Sequence, residues 1–140
     1  MGILIDSSVL IEWERKHFDI KQLIEPHQGE NFYISVVTIS ELLHALHRAK
    51  DPRQKMRRSA FVETVISEFE ALESDVQTAR IHGEISASLA KQGIIVGSQD
   101  LWIGCTGISN GLTIVTHNLK DFRRIPGLQI EQWPCEDRSA

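Results

Sequence analysis

Cysteine is nearly absent from this chain of 140 residues: only Cys105 and Cys135 occur, with no C-x-x-C pair. That excludes a four-ligand zinc site and fits two reduced thiols. Long hydrophobic runs are missing too. Nothing approaches the ~20 apolar residues that cross a bilayer, and the apolar opening is too short for a signal-peptide core and has no basic leader. A cytoplasmic protein without membrane association is expected. Positive charge is not in excess, since the net charge is −4. A surface coated in basic groups is thereby excluded, and any nucleic-acid contact must come from a local patch. Aromatics make up only 6%, with few near the basic segment, so base stacking is not expected as the source of specificity. Repeats, low-complexity tracts and linkers are absent.

What is present is ordinary for a globular protein: 41% hydrophobic and 24% charged residues. The length suits one domain able to bury a core of its own. Its expected extent is residues 1–134, with 135–140 as a polar C-terminal tail.

The chain is organised around Gly2-Ile3-Leu4-Ile5-Asp6-Ser7-Ser8. Three consecutive aliphatic residues read as an interior strand of a parallel sheet, because alternation disappears when both faces are covered. Asp6 then falls at the strand's carboxyl end, where open α/β sheets collect ligands. Ser7 to Arg15 has helical spacing, and Phe32 to Val37 is a β-rich second strand. The helix after it begins at Thr38, whose spacing to Glu41 fits a capping box. Arg48 to Arg58 is the one concentrated basic segment, interrupted by Asp51-Pro52; Arg53, Lys55 and Arg57 are its candidate phosphate contacts, set against a plain solvated loop. A core-facing helix follows over Phe61 to Phe69. Then come a weak strand near Phe69 to Glu73, a helix from Asp75 to Gln92 ended by Gly93, loop and helix over Ser98 to Gly111, a strand over Leu112 to Thr116, a turn over His117 to Phe122 and a final strand over Leu128 to Gln132. Strands alternating with helices predict an α/β fold: a central parallel sheet of four to five strands flanked by helices.

On this scaffold Asp6, Glu41, Asp100, Asn118 and Asp121 each lie at a strand exit or a helix entry. Parallel strands with helical crossovers put those positions on one side of the domain. Hard oxygen ligands converging there suit Mg²⁺ or Mn²⁺. The competing reading of each acid alone is a helix cap, because Asp and Glu oxygens accept free N–H groups and complement the dipole.

The blocks Ile3-Leu4-Ile5-Asp6-Ser7-Ser8-Val9-Leu10-Ile11, Ile39-Ser40-Glu41-Leu42, Asp100-Leu101-Trp102-Ile103 and Gly111-Leu112-Thr113-Ile114-Val115-Thr116-His117-Asn118-Leu119-Lys120-Asp121-Phe122 resemble the PIN-domain family, and within it the VapC-type toxins of toxin–antitoxin pairs. The resemblance implies an α/β/α domain with an Mg²⁺- or Mn²⁺-dependent ribonuclease site, in which a metal-activated water hydrolyses RNA to 5′-phosphate and 3′-hydroxyl ends. Asp6, Glu41 and Asp100 match three family acids as metal ligands. Asn118 stands where the fourth is often Asp, and Asp121 is the nearby acid that can compensate. Ser7 matches a hydroxyl position beside the first acid and is a candidate substrate or water contact. Gly104 and Gly107 occupy positions where small residues are usual. The implied partners are an RNA substrate, a small antitoxin whose tail lies across the acidic cleft, operator DNA reached through that antitoxin, and a second copy in a homodimer.

Other patterns are weighed against this one. Gly107-Ile108-Ser109-Asn110-Gly111 has the spacing of a nucleophile elbow but not the required strand before it and helix after it. Glu41-x-x-His44, with His47 a turn further, matches half of a di-iron motif that needs a second copy and four helices; both histidines are expected in the core or partly exposed. A receiver-type phosphoacceptor domain needs an acidic pair after strand one, where Ser7-Ser8 stands. A catalytically silent PIN domain serving as an RNA-binding scaffold stays open through Asn118.

Overall fold

The computed structural model describes residues 2–16 and 19–133; the tail expected at 135–140, with Cys135, lies outside them. Strand β1 (Gly2–Ile5) leads into α1 (Ser7–Glu14), the short α2 (Lys21–Ile24) and a single 3₁₀ turn, Glu25–His27. Next come β2 (Asn31–Ser35), α3 (Val36–Arg48), α4 (Pro52–Glu68), β3 (Glu70–Leu72), α5 (Val76–Lys91), α6 (Ser98–Ser109), β4 (Thr113–Thr116), α7 (Leu119–Phe122) and β5 (Gln129–Gln132).

The five strands form one sheet in the order β3-β2-β1-β4-β5, and every pairing is parallel. The chain runs outward from β1 to β3, then returns to the other side of β1 for β4 and β5. The connectivity therefore reverses between β1 and β4, and the crevice above such a switch point is where α/β sheets bind ligands.

Central β1 explains the aliphatic run. Ile3 and Ile5 enter the core with Val9, Leu10, Ile34, Val62 and Val65; Leu4 points to the opposite core with Leu89, Ile103, Ile114 and Phe122. Period-two alternation thus feeds two cores, and no polar position is left. Helix α6 lies close over Leu4 because it carries glycines. A Cβ on Gly104 would stand 2.6 Å from Ile125 Cδ1, and one on Gly107 would stand 3.3 Å from Leu128 Cδ1 and 3.5 Å from Leu4 Cδ2. That close packing offsets the ~1 kcal/mol of helix propensity each glycine forgoes relative to alanine.

Several local expectations change. Strand β2 ends at Ser35, not Val37, and Ser35 Oγ caps α3 by accepting from Val37 N at 3.0 Å. Thr38 is therefore buried inside the first turn, and the Thr38–Glu41 capping box does not form. The basic segment belongs largely to α4, with Asp51 as N-cap and Pro52 as the first helical residue. The turn expected over His117 to Phe122 contains the helical turn α7. Helix α2 and the 3₁₀ turn after it were not foreseen; they are tied to β5 by His27, whose Nδ1 lies 2.7 Å from Leu23 O and whose Nε2 lies 3.0 Å from Glu131 Oε2. His44 and His47 are exposed on α3, outside the core. Ser109 ends a helix that precedes a strand, so the elbow order is absent. No helix among the described residues is long and apolar enough to cross a membrane. Cys105 is buried and free, and burial pushes its thiol up to about 11.

Candidate active site

Asp6 follows β1 and caps α1, and its backbone N–H donates to Val115 O on β4 at 3.0 Å. The carboxylate is 3% exposed. One oxygen is saturated: Oδ2 accepts from Ser8 Oγ at 2.7 Å and from Thr116 Oγ1 at 2.9 Å, with Ser8 N at 3.4 Å. Those hydroxyls are themselves oriented, since His117 N donates to Ser8 Oγ at 3.0 Å and Asn118 N to Thr116 Oγ1 at 2.9 Å. The other oxygen, Oδ1, is buried with no hydrogen-bond partner. An unpaired buried carboxylate oxygen is costly unless something positive meets it.

Three more acids gather at the same rim. Glu41 accepts from Ser7 Oγ at 3.4 Å, and burial together with the Asp6 charge pushes its carboxyl up to about 7. Asp100, third in α6, is also pushed up to about 7, first by burial, then by the Asp6 charge, a hydrogen bond with Asp121 and the Glu41 charge. Asp121 reaches in from α7: a Cβ on Gly97 would lie 3.6 Å from Asp100 Oδ2 and 3.7 Å from Asp121 Oδ2. Gly97 thus leaves room at the point where these two carboxylates meet. An open cavity of about 540 Å³ lies beside them, lined by Glu41, Gly97, Ser98, Gln99 and Asp100. Among the described residues no three or more His, Cys, Asp or Glu side chains are placed so that they could hold a metal ion together.

The fold therefore brings together Asp6, Ser7, Glu41, Asp100 and Asp121. Asn118 is exposed and enters through its backbone N–H to Thr116. Arg57 lines a groove bordering α1, Lys55 lines a different surface of α4 beside Met56, and Arg53 is exposed at the helix start. Ser8 and Thr116 were missed by sequence reasoning. Their signal was present, because a hydroxyl two residues after a strand-end Asp and another ending the neighbouring parallel strand must lie side by side once the strand order is known.

The donor set is all oxygen, like-charged, half-buried and short of one partner at Asp6 Oδ1, which fits a divalent cation. These features define a class: a doubly wound α/β domain with an acid-lined cleft at its topological switch point. Residues 3–128 match the family profile described as PIN domain, and the chain belongs to the PIN-domain family. It is 35% identical over 130 residues to Ribonuclease VapC1 of Rickettsia felis, covering 93% of this chain and 95% of that protein. It is 41% identical over 100 residues to the tRNA(fMet)-specific endonuclease VapC of Salmonella typhimurium, covering 71% of this chain and 74% of that protein. Among solved structures, the DNA-bound VapBC of Salmonella typhimurium superposes with a TM-score of 0.85 at 33% identity, covering 95% of this chain and 98% of that one.

Proposed function

We propose that this chain is an endoribonuclease dependent on Mg²⁺ or Mn²⁺, and the toxin half of a type II toxin–antitoxin pair acting in the cytoplasm. The observation that carries the reading is Asp6: a buried carboxylate with one oxygen locked by two hydroxyls and the other unpaired, amid acids whose protons are held to about 7. Relatives called ribonuclease and tRNA-specific endonuclease, similar over most of the chain, support it.

Asp6 and Asp100 would hold the metal, with Glu41 and Asp121 completing the oxygen set. The chemistry supplied by a divalent ion held by these residues would be acidification of a water and neutralisation of charge on a phosphodiester. Ser7 Oγ donates to Glu41 Oε1, which would place that carboxylate to position a water or take its proton. Ser8 and Thr116 bond Oδ2 of Asp6 and leave Oδ1 without a partner, the oxygen a cation would take up. Asn118 fixes Thr116 through its N–H. Arg57 would take up RNA phosphates, while Lys55 lies on a different surface of α4 and Arg53 is exposed at its start.

Structural neighbours described as VapBC bound to DNA, and another as a toxin–antitoxin system, support a cognate antitoxin and operator DNA reached through it; an antitoxin tail across the acidic cleft and a second copy of this chain complete the proposed partners. Incubating the purified protein with total RNA in Mn²⁺ or in EDTA tests the reading. Discrete cleavage with 5′-phosphate ends, abolished by EDTA and by Asp6→Asn, is expected. Cleavage that persists in EDTA overturns it.

A further inference from the structure

Asp100 and Asp121 come from different elements, and the stretches that deliver them are joined by a bond outside the core. Residues 93–97 link α5 to α6. Within that loop Ile94 and Val96 pack against the core beside α6, whereas Ile95 is 80% exposed. Side chains thus alternate inward and outward, as in an extended segment. The Ile95 side chain contributes little burial to hold the loop; its carbonyl does more, accepting from Arg124 Nη1 at 2.8 Å.

Arg124 stands one turn past Asp121, and its backbone N–H donates to Asp121 O at 3.1 Å. Residues three apart on a helical turn share a face, so the two look toward the same loop. Arg124 meets it at Ile95; Asp121 meets it at Gly97, where a Cβ would lie 3.7 Å from Asp121 Oδ2 and 3.6 Å from Asp100 Oδ2. Phe122 and Ile125, both buried, seat the other side of α7 in the core. Core seating sets the depth of α7, and the Arg124 bond sets how closely its acidic face approaches the loop. That approach is opposed by charge. Asp100 and Asp121 share a hydrogen bond while one of them holds a proton, and two ionised carboxylates at such range repel. A guanidinium bonded to a carbonyl is charge-assisted and does not titrate, so it persists once the shared proton has gone.

We propose that Arg124 is a positioning residue of the acidic site: by tying α7 to the loop before α6 through Ile95 O, it keeps Asp121 beside Asp100 after both have ionised, so that the pair can take up a divalent cation. This rests on the metal-dependent nuclease reading above. The sign of the effect separates positioning from charge. A cation near an acidic site opposes binding of another cation, so removing its charge alone should strengthen Mn²⁺ binding. Removing a positioning bond should weaken it.

The test is Arg124→Gln, measured first without metal and then with Mn²⁺ alone; Arg124 is exposed, so the variant should fold. In EDTA at pH 8, hydrogen exchange of the Leu101 amide, which donates to Gly97 O at 2.9 Å, should quicken about tenfold as the loop loosens. In calorimetric titration without RNA, Mn²⁺ should bind about tenfold more weakly. Arg123→Gln removes a charge from the neighbouring exposed residue and should bind Mn²⁺ at least as tightly as the parent protein. Arg124→Lys, which keeps the charge and a donor, should return Mn²⁺ affinity to within about threefold of the parent. In cleavage assays Arg124→Gln should reach the parental kcat within about twofold at saturating Mn²⁺, with KM for RNA unchanged. Mn²⁺ affinity that holds or rises in Arg124→Gln overturns the proposal, even if the melting temperature drops, because the bond then serves stability alone. So does a raised KM for RNA with unaltered Mn²⁺ affinity and Leu101 exchange, which would make Arg124 a phosphate contact. A parent protein that binds Mn²⁺ yet cleaves no RNA sinks the nuclease reading alone, because exchange and titration decide the role of Arg124 without catalysis.

Discussion

Asp6 and Asp75 do the same local job and differ in everything else. Each is the N-cap of a helix, with its side chain accepting from a backbone N–H of the first turn. Asp75 is exposed; its Oδ1 accepts from Thr78 N and Thr78 Oγ1, both at 2.9 Å, and these bonds, Thr78 N–H first, hold its carboxyl below the usual range. Asp6 is buried, leaves Oδ1 unpaired and raises the protons of Glu41 and Asp100. Capping explains Asp75 fully and Asp6 only in part. What separates them is the strand before each helix: β1 is central and ends at the switch point, whereas β3, before Asp75, is one of the two edge strands of the sheet.

The largest effect that sharpens this contrast is on catalysis. Asp6→Asn should lower RNA cleavage by more than the roughly 100-fold seen for partners that merely orient a ligand, and Asp75→Asn should leave it unchanged. Next in size is removal of the hydroxyls that lock Asp6: Thr116→Val and Ser8→Ala should each cost about 10–100-fold in metal affinity or activity. The readout is titration of cleavage with Mn²⁺, where the loss should be partly recovered at high Mn²⁺. A loss that no metal concentration recovers would assign these hydroxyls to the chemistry and not to holding Asp6.

A smaller effect concerns stability against pH without metal. Glu41 and Asp100 are raised in the folded protein from ordinary values of 4.5 and 3.8 to about 7. Between those limits the native state binds more protons than the unfolded chain, so the stability these groups contribute is fully present below about pH 4 and is lost as pH rises through about 7. In EDTA the melting temperature should therefore fall from pH 5 to pH 8, and Mg²⁺ should restore it at pH 8. His27, also raised, adds a fall of the same sign near neutrality. The double variant Glu41→Gln, Asp100→Asn isolates the acids, because only their share of the slope should vanish in it. An undiminished slope in that variant would remove the electrostatic contrast between the two caps.

The sheet and its acids were legible from the chain because their causes are local. Ile3-Leu4-Ile5 announces a strand covered on both faces, and strand exits bring Asp6 and the Asn118–Asp121 stretch to one rim whatever the loops do. What stayed hidden depends on packing or on a shift of a residue or two. Ser35 and Thr38 are both good caps, and only the end of β2 decides between them; because Ser35 takes the role, Glu41 is free to face Asp6. Ser8 and Thr116 are far apart in sequence and meet only through the β1–β4 pairing. Arg57 and Lys55 read as one basic run, while two residues is about half a helical turn and sends them to different surfaces.

The smallest expected effect tests the ordinary cap. Asp75→Ala should cost about 0.5–2 kcal/mol, the usual value of an N-cap side chain, read as a drop of a few degrees in melting temperature with cleavage untouched. Asp6→Asn should behave oppositely in EDTA at pH 8. The amide carbonyl can still accept from Ser8 N, while loss of the charge relieves Glu41 and Asp100, so the melting temperature should hold or rise as activity disappears. A site assembled for a ligand is strained without it, and relief of that strain on neutralisation is the signature a mere cap lacks. If Asp6→Asn instead melts lower by as much as Asp75→Ala, the two aspartates are equivalent in the metal-free fold and the acidic rim stores no repulsion for a cation to relieve.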